Sequence, residues 1–205
     1  QPCLMDENGL EINTNQIDGR LCVKFPWPSI ARTIWGNHQR YKETYFSTYE
    51  DKYFTGDGAL RDAVGYYRIT GRVDDVIIVS GHNLGTAPIE DAINEHPAVA
   101  ESAIVGFPHD VKGNALYGFV ILKETGKSRS HNNLRKEINQ MITEHIGPIA
   151  KLNKIQFTSG LPKTRSGKIM RRILRKIACN DTSNLGDIST LLNPEIVQEI
   201  MDNAL

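Results

Sequence analysis

The segment from Leu161 to Arg172 contains the residues that most readily suggest phosphate chemistry. Its sequence, LPKTRSGKIMRR, places Lys168 directly after a glycine. A phosphate-binding P-loop also contains Gly-Lys, but it needs an earlier glycine at a fixed distance and a Ser or Thr after the lysine. Here Gly160 is spaced wrongly and Ile169 follows the lysine. The sequence therefore excludes a P-loop.

The same segment begins a run of positive charge. Seven basic residues and no acidic residue lie between Lys163 and Lys176. Such a run could bind nucleic acid or act as a localisation signal. However, no aromatic residues interleave with the charges to stack on bases. A solvated basic helix over Lys168 to Ala178 is the alternative, because the apolar residues recur at helical spacing. That apolar face would contain Ile169, Ile173, Leu174 and Ile177.

Asp57 stands between Gly56 and Gly58 in the segment YFTGDG. Glycine lets a ligand approach the backbone closely. A carboxylate can accept hydrogen bonds from two neighbouring hydroxyls, as in a ribose. Asp57 is thus a candidate ribose-binding residue. An aspartate between glycines is also typical of a turn, and this alternative stays open.

A polar cluster follows at Arg72, Asp74 and Asp75, in the sequence TGRVDD. The planar guanidinium of Arg72 could bind a phosphate or ribose oxygen, or it could form an ion pair with a neighbouring acid. The composition changes at this point. The acids could therefore form a hinge, since hinges are a few residues at element ends that absorb backbone rotation. A solvated linker is the alternative.

The segment from Ser80 to Gly85 is predicted to be a loop between a short strand and a helix. Backbone N–H groups in such a loop can face an anion or an extended ligand. Its sequence, SGHNLG, lacks the glycine spacing of a dinucleotide-binding motif. His82 has no sequence partner that would make it a catalytic base, so we interpret it as a loop or packing residue.

The elements that position these residues differ between two parts of the chain. Residues 1–73 combine aromatic residues, Pro and Gly with short strands and no long helix signal. Residues 74–205 predict the order strand, helix, strand, strand, helix, strand, helix. The predicted class is α+β, with an open sheet covered by helices in the second part. The predicted strands are 19–25, 65–70, 76–79, 99–107, 115–123 and 154–158, and the predicted helices begin near residues 86, 132, 168 and 194.

The composition limits the possible partners. Lys and Arg together number 24, as do Asp and Glu, so the net charge is zero and indicates neither a nucleic-acid nor a membrane partner. The apolar runs are strand-length, which predicts no membrane span or signal peptide.

Cys3, Cys22 and Cys179 lack metal-ligand spacing, which predicts no metal site. They are predicted to be reduced, structural thiols in a cytoplasmic protein. Gln1 followed by Pro2 suggests a chain entered in its middle.

Several strings in register resemble the end of the adenylate-forming acyl-CoA synthetase superfamily, over nearly the whole chain. The strings most similar to its acetyl-CoA synthetase branch are 25–28 (FPWP), 31–34 (ARTI), 45–48 (YFST), 69–76, 163–178 and 181–187 (DTSNLGD). The resemblance implies an enzyme that adenylates acetate with ATP and then transfers the acetyl group to coenzyme A. The resemblance also implies that residues 1–73 form the end of a large N-terminal domain. The rest of that domain would be a partner of this chain. Residues 74–205 would form a mobile lid that rotates between the two half-reactions.

The resemblance implies roles for single residues around ATP. Lys168 matches the catalytic lysine that enters the adenylation site. Asp57 matches the ribose-binding acid, Arg72 the arginine beside it, and Asp74 the hinge between the two domains. Relatives in the family are switched off by reversible acetylation of the matching lysine. A protein acetyltransferase and a deacetylase are therefore implied as partners of Lys168.

A second set of positions concerns coenzyme A. Ser80 and Gly81 match the loop that faces the pantetheine tunnel after the lid has rotated. Two positions depart from the family pattern. Asn83 stands where several relatives have a phosphate-binding arginine, and Thr143 stands where some have a basic residue at the coenzyme A phosphates. A neutral side chain loses a charge-assisted hydrogen bond worth about 1.5 to 3 kcal/mol, which weakens any assignment of phosphate binding to these two positions.

Parts of the implied reaction have no residues in this chain. The family's phosphate loop, rich in Gly and Ser or Thr, has no counterpart here, nor does the acyl pocket. Mg²⁺ is therefore expected to bind outside this chain, and the chain alone is expected to be inactive. Acetate is inferred from overall likeness and not from a pocket. A synthetase for propionate or another short acyl chain stays an alternative, as does a basic nucleic-acid-binding module.

Overall fold

The structure is a computed structural model that describes residues 1–183 and 185–205. Asn184, part of the string DTSNLGD, lies outside the described residues. The chain forms two compact units, Gln1–Val76 and Ile77–Leu205. No helix in the described ranges combines the length and the apolar character needed to cross a membrane.

The first unit contains a five-stranded antiparallel sheet in the order β2-β1-β3-β4-β5. Its strands are β1 (Pro2–Met5), β2 (Glu11–Ile12), β3 (Ile17–Val23), β4 (Tyr53–Arg61) and β5 (Tyr67–Arg72). The sequence predicted β3 and β5, each displaced by about two residues, as is usual for element ends. It missed β4, because the glycines on either side of Asp57 are also typical of turns.

Helix α1 (His38–Phe46) is an element that the sequence did not predict. The Asn37 side chain caps it by accepting a hydrogen bond from the Arg40 N–H at 2.9 Å. Tyr41 is buried, and its ring centroid lies 5.5 Å from that of Tyr45. Aromatic residues have only modest helix propensity. The helix therefore depends on its cap and on aromatic packing, which periodicity alone did not reveal.

Two of the three thiols are structural. Cys3 and Cys22 are cross-strand partners on β1 and β3, and both are buried. The Cys3 thiol donates to the Cys22 carbonyl oxygen at 3.6 Å. Burial raises the pKa of Cys22 to about 12, so this thiol stays protonated near neutral pH. Cys179 is exposed, so the prediction that all three thiols are structural is wrong at that position.

The second unit contains a mixed sheet in which β9 lies between β8 and β10. Strand β8 pairs with β9 antiparallel, and β10 pairs with it parallel. A short hairpin, β6 with β7, joins the start of β9 where Val79 pairs with Gly113. The elements are β6 (Ile77–Val79), β7 (His82–Leu84), α2 (Thr86–Asn94), β8 (Val99–His109), β9 (Gly113–Leu122), α3 (Glu124–Lys127), α4 (His131–His145), β10 (Lys154–Thr158), α5 (Arg171–Ala178) and α6 (Glu195–Asp202).

Helices cover both faces of this second sheet. Because side chains alternate along a strand, Ile104 of β8 packs in one apolar cluster with α2 and α4. Its neighbours Ala103 and Val105 pack in a second cluster with α5 and α6. Strands buried on both faces read as continuous apolar runs, which is why the sequence located β8 and β9 well. The structure confirms the α+β class and the open sheet covered by helices.

One predicted helix start is confirmed and another is wrong. Helix α2 begins at Thr86, as predicted, and Gly85 occupies its N-cap position. Pro88 lies in the first turn, where its missing N–H costs nothing. Helix α5 begins at Arg171 rather than at Lys168. This difference changes the setting of the candidate catalytic lysine.

Candidate functional site

Asp57 and Arg72 face each other on neighbouring strands of the first unit. They are cross-strand partners in the pairing of β4 with β5, and Arg72 Nη1 lies 3.7 Å from Asp57 Oδ1. The turn interpretation of Asp57 is therefore wrong. The aspartate side chain is 31% exposed, so the carboxylate keeps contact with solvent and can accept hydrogen bonds from a ligand.

The glycines beside Asp57 make room for side chains of β5. A Cβ atom added at Gly56, where φ is +80°, would lie 2.8 Å from Arg72 Nη1. One added at Gly58 would lie 2.9 Å from the Thr70 hydroxyl. Both distances are shorter than a Cβ atom tolerates, so a side chain at Gly56 would displace the Arg72 guanidinium and one at Gly58 would displace the Thr70 hydroxyl. The GDG pattern thus permits the pairing of Asp57 with Arg72.

Arg72 also forms the local ion pair that was the alternative interpretation. Its Nε lies 3.0 Å from Asp74 Oδ1, and this hydrogen bond raises the pKa of Arg72 above its usual value. The guanidinium therefore bridges Asp57 and Asp74. Asp74 is in a short 3-10 turn, Val73–Asp75, just before the end of the first unit at Val76.

Ser80 and Gly81 form the turn of a β-hairpin, which corrects the predicted loop. Val79 and His82 pair on either side of them. The φ angles of +49° at Ser80 and +82° at Gly81 fit a two-residue turn of the primed type. A Cβ atom added at Gly81 would have no atom within 4 Å. The turn therefore presents open space beside its backbone.

Three further residues from the sequence analysis, His82, Asn83 and Thr143, lie on the second unit. His82 and Asn83 are exposed on β7, so the histidine is not a packing residue. Thr143 lies on α4, and its hydroxyl donates to the Asn139 carbonyl at 2.7 Å. Thr143 lines a surface groove whose charged residues are Arg135, Lys136 and Lys151.

Lys168 lies on a tight β-hairpin of residues 163–169, which we call the lysine hairpin. Lys163 and Ile169 form its first bridge. Within it, the Thr164 N–H donates to the Lys168 carbonyl at 2.9 Å, and the Lys168 N–H donates to the Thr164 hydroxyl at 3.1 Å. Gly167 has a φ of +83°, which an α-helix does not allow. Because these bonds occupy its backbone, Lys168 cannot begin α5, and its side chain is exposed.

Ion pairs anchor both ends of the lysine hairpin. Lys163 Nζ lies 2.7 Å from Glu101 Oε2 of β8, and Arg171 Nη2 lies 2.6 Å from Glu90 Oε2 of α2. Sequence reasoning missed both acids, because they lie 62 and 81 residues from their partners. Of the two acids, only Glu90 had a sequence feature that could have identified it, because it lies directly beside the apolar face of a predicted helix.

These pairs also affect the basic run from Lys163 to Lys176. Lys176 Nζ lies 3.2 Å from Asp181 Oδ2, so at least three of the seven cations are paired with carboxylates. A polyanion would have to compete with these pairs, which argues against a nucleic-acid site. In the part of the chain that the structure describes, no three His, Cys, Asp or Glu side chains are grouped so that they could hold a metal ion.

Part of the second unit matches a known protein family. Residues 88–168, which run from α2 to the candidate lysine, match the AMP-binding enzyme C-terminal domain. This part of the chain is similar to that family.

The particular relatives are acetyl-coenzyme A synthetases. The protein of that name from Methylorubrum populi is 55% identical over 203 residues, 99% of this chain. The one from Saccharophagus degradans is 55% identical over 205 residues, 100% of this chain. The chain spans 31% of the length of each relative. Among solved structures, the anthranilate CoA ligase AuaEII in complex with anthranoyl-AMP has a TM-score of 0.77 at 28% identity, over 90% of this chain and 34% of that one. These findings confirm the resemblance to the acetyl-CoA synthetase branch.

Proposed function

We propose that the chain is part of an AMP-forming acetate–CoA ligase. The observation that carries this proposal is the 55% identity, over 99% of the chain, to a protein named acetyl-coenzyme A synthetase. In this proposal, the first unit ends the large domain and the second is the mobile lid. Asp74 is the hinge, which its place just before the unit boundary supports.

In the first half-reaction, an acetate oxygen attacks the α-phosphorus of ATP and pyrophosphate leaves. Asp57 would hold the ribose hydroxyls, and Arg72, whose Nη1 lies 3.7 Å from its carboxylate, would place a positive charge beside it. Lys168 would stabilise the negative charge that collects between the carboxylate and the phosphate. A compact ammonium suits this role because it is a point charge on a flexible stem, and the lysine hairpin leaves it exposed.

In the second half-reaction, the thiol of coenzyme A attacks the acetyl carbon and AMP leaves. Ser80 and Gly81 would face the pantetheine arm once the lid has rotated. The open space at Gly81 supports this role, because an extended ligand can lie against a backbone that carries no side chain. The lid would thus present two different surfaces in turn, each completing one site.

The test is the reaction of the full-length protein. We expect pyrophosphate to be released only when acetate, ATP and Mg²⁺ are present, and acetyl-CoA and AMP to form when coenzyme A is added. The 205-residue chain alone should release no acetate-dependent AMP. A higher kcat/KM for propionate would favour the alternative short-chain synthetase, and AMP release by the chain alone would contradict the proposed division of the site.

A further proposal is that acetylation of Lys168 regulates the enzyme. The lysine is exposed and follows Gly167, where a modifying enzyme could approach the backbone. Acetylation removes the charge, so we expect adenylation to fall while thioester formation from supplied acetyl-adenylate survives. Mass spectrometry after treatment with a protein acetyltransferase should find Lys168 modified before Lys163, whose Nζ is paired with Glu101. Equal modification of both lysines, or full adenylation activity after acetylation, would refute the proposal.

A further inference from the structure

Glu90 is a buried acid on α2 that the roles assigned so far do not use. Its side chain is only 11% exposed. Its two carboxylate oxygens have different partners: Oε1 accepts the Ile104 N–H of β8 at 2.8 Å, and Oε2 lies 2.6 Å from Arg171 Nη2. A buried charge is tolerated only when it is paired and hydrogen-bonded. Glu90 thereby joins α2, β8 and the first residue of α5.

The Glu90 contact fixes the point at which the chain leaves the lysine hairpin. Arg171 follows Lys168 by three residues, and the Met170 N–H between them donates to the Pro162 carbonyl at 2.8 Å. Helices α2 and α5 pack in different apolar clusters, on opposite faces of the sheet. The Glu90–Arg171 pair thus connects the two helical layers next to the candidate catalytic lysine.

The pair between Lys163 and Glu101 holds the other end of the hairpin less firmly. The exposed fractions of its two side chains are 27% and 34%, against 25% for Arg171 and 11% for Glu90. A more buried pair is less screened by solvent and salt. The rest of α5 does not need the Glu90–Arg171 pair, because Ile173, Leu174 and Ile177 are buried in the apolar cluster. Loss of the Glu90–Arg171 pair would therefore remove a side-chain anchor of the hairpin end and leave the helix packed.

We propose that Glu90 is a positioning residue for Lys168, holding the lysine hairpin in place through Arg171. The inference rests on the proposed function, in which Lys168 acts in adenylation. Misplacement of a reacting group by about 1 Å can cost roughly 10²-fold in rate. The expected consequence is a defect confined to the first half-reaction, because Ser80 and Gly81 lie on a different hairpin.

The experiment is Glu90→Gln in the full-length enzyme. Glutamine keeps the volume and an oxygen for the Ile104 N–H, but it removes the charge that faces Arg171. We expect the adenylation rate to fall by about 10-fold to 10²-fold, and thioester formation from supplied acetyl-adenylate to match the wild type. In a Lys168→Ala background, Glu90→Gln should cause no further loss of adenylation, because Glu90 acts only through the lysine.

A second variant covers the case in which Glu90→Gln does not fold. The double change Glu90→Gln with Arg171→Gln leaves no lone buried charge, and it should show the same selective loss. Normal adenylation, an equal loss in both half-reactions, or a further loss in the Lys168→Ala background would each overturn the inference. If Lys168→Ala itself leaves adenylation intact, it is the proposed function that fails.

Discussion

Replacing Lys168 with alanine should lower adenylation by about 10²-fold to 10³-fold, the usual cost of losing one group that stabilises transition-state charge. Thioester formation from supplied acetyl-adenylate should stay close to the wild-type rate, because the lysine is assigned to the first half-reaction only. The measurement is acetate-dependent exchange of pyrophosphate into ATP, compared with coenzyme A acetylation from pre-formed adenylate. Both assays require the full-length enzyme.

Arg165→Ala provides the matched control for the lysine. Arg165 is also an exposed cation of the lysine hairpin, so its loss changes the local charge by the same amount. Adenylation should be nearly unaffected by this change. A Lys168→Ala variant that loses both half-reactions equally would contradict the assignment of the lysine to one surface of the lid, and equal defects in both variants would indicate an effect of charge alone.

Replacing Gly81 with alanine should have the opposite selectivity. The added methyl group meets no atom of the chain within 4 Å, but it would occupy the space assigned to the pantetheine arm. We expect thioester formation to fall by about 10-fold to 10²-fold and adenylation to persist. The same two half-reaction assays measure both effects.

Two other glycines separate this effect from backbone strain. Gly9 and Gly167 have φ angles of +82° and +83°, against +82° at Gly81, and neither has an atom within 4 Å of an added Cβ. Alanine should therefore be strained by a similar amount at all three positions, about 1 to 2 kcal/mol. Gly9→Ala should spare both half-reactions, and Gly167→Ala should impair adenylation. Equal effects at Gly9 and Gly81 would show that strain, and not coenzyme A, explains the defect.

The sequence by itself determined the pattern of the second sheet. Strands β8 and β9 read as apolar runs because both of their faces are buried. Helix α4 followed from apolar residues at helical spacing, and Gly147 and Pro148 after it set its end. Several strings in register, from residue 25 to residue 187, indicated the resemblance to the acetyl-CoA synthetase branch, and the comparisons confirmed that resemblance. The roles of single residues stay predictions.

The tertiary structure alone decided how the candidate residues are held. Asp57 and Arg72 meet because of the register of two strands, and a register depends on pairing that no local pattern specifies. The glycines next to Asp57 predicted a turn equally well, and the neighbours that explain them are the Arg72 guanidinium at Gly56 and the Thr70 hydroxyl at Gly58. The start of α5 likewise depended on the lysine hairpin, whose bonds take precedence over a helical pattern.

Glu90 and Glu101 show most clearly which contacts the sequence could not predict. Each acid is 81 or 62 residues from the cation that it binds, and the basic residues from Lys168 onward looked like one solvated helix. Ion pairs between distant segments form only after the sheet and its two helical layers have brought those segments together. Local propensity and periodicity are therefore sufficient for elements whose residues interact with near neighbours in sequence. The anchoring of Lys168 required the folded chain.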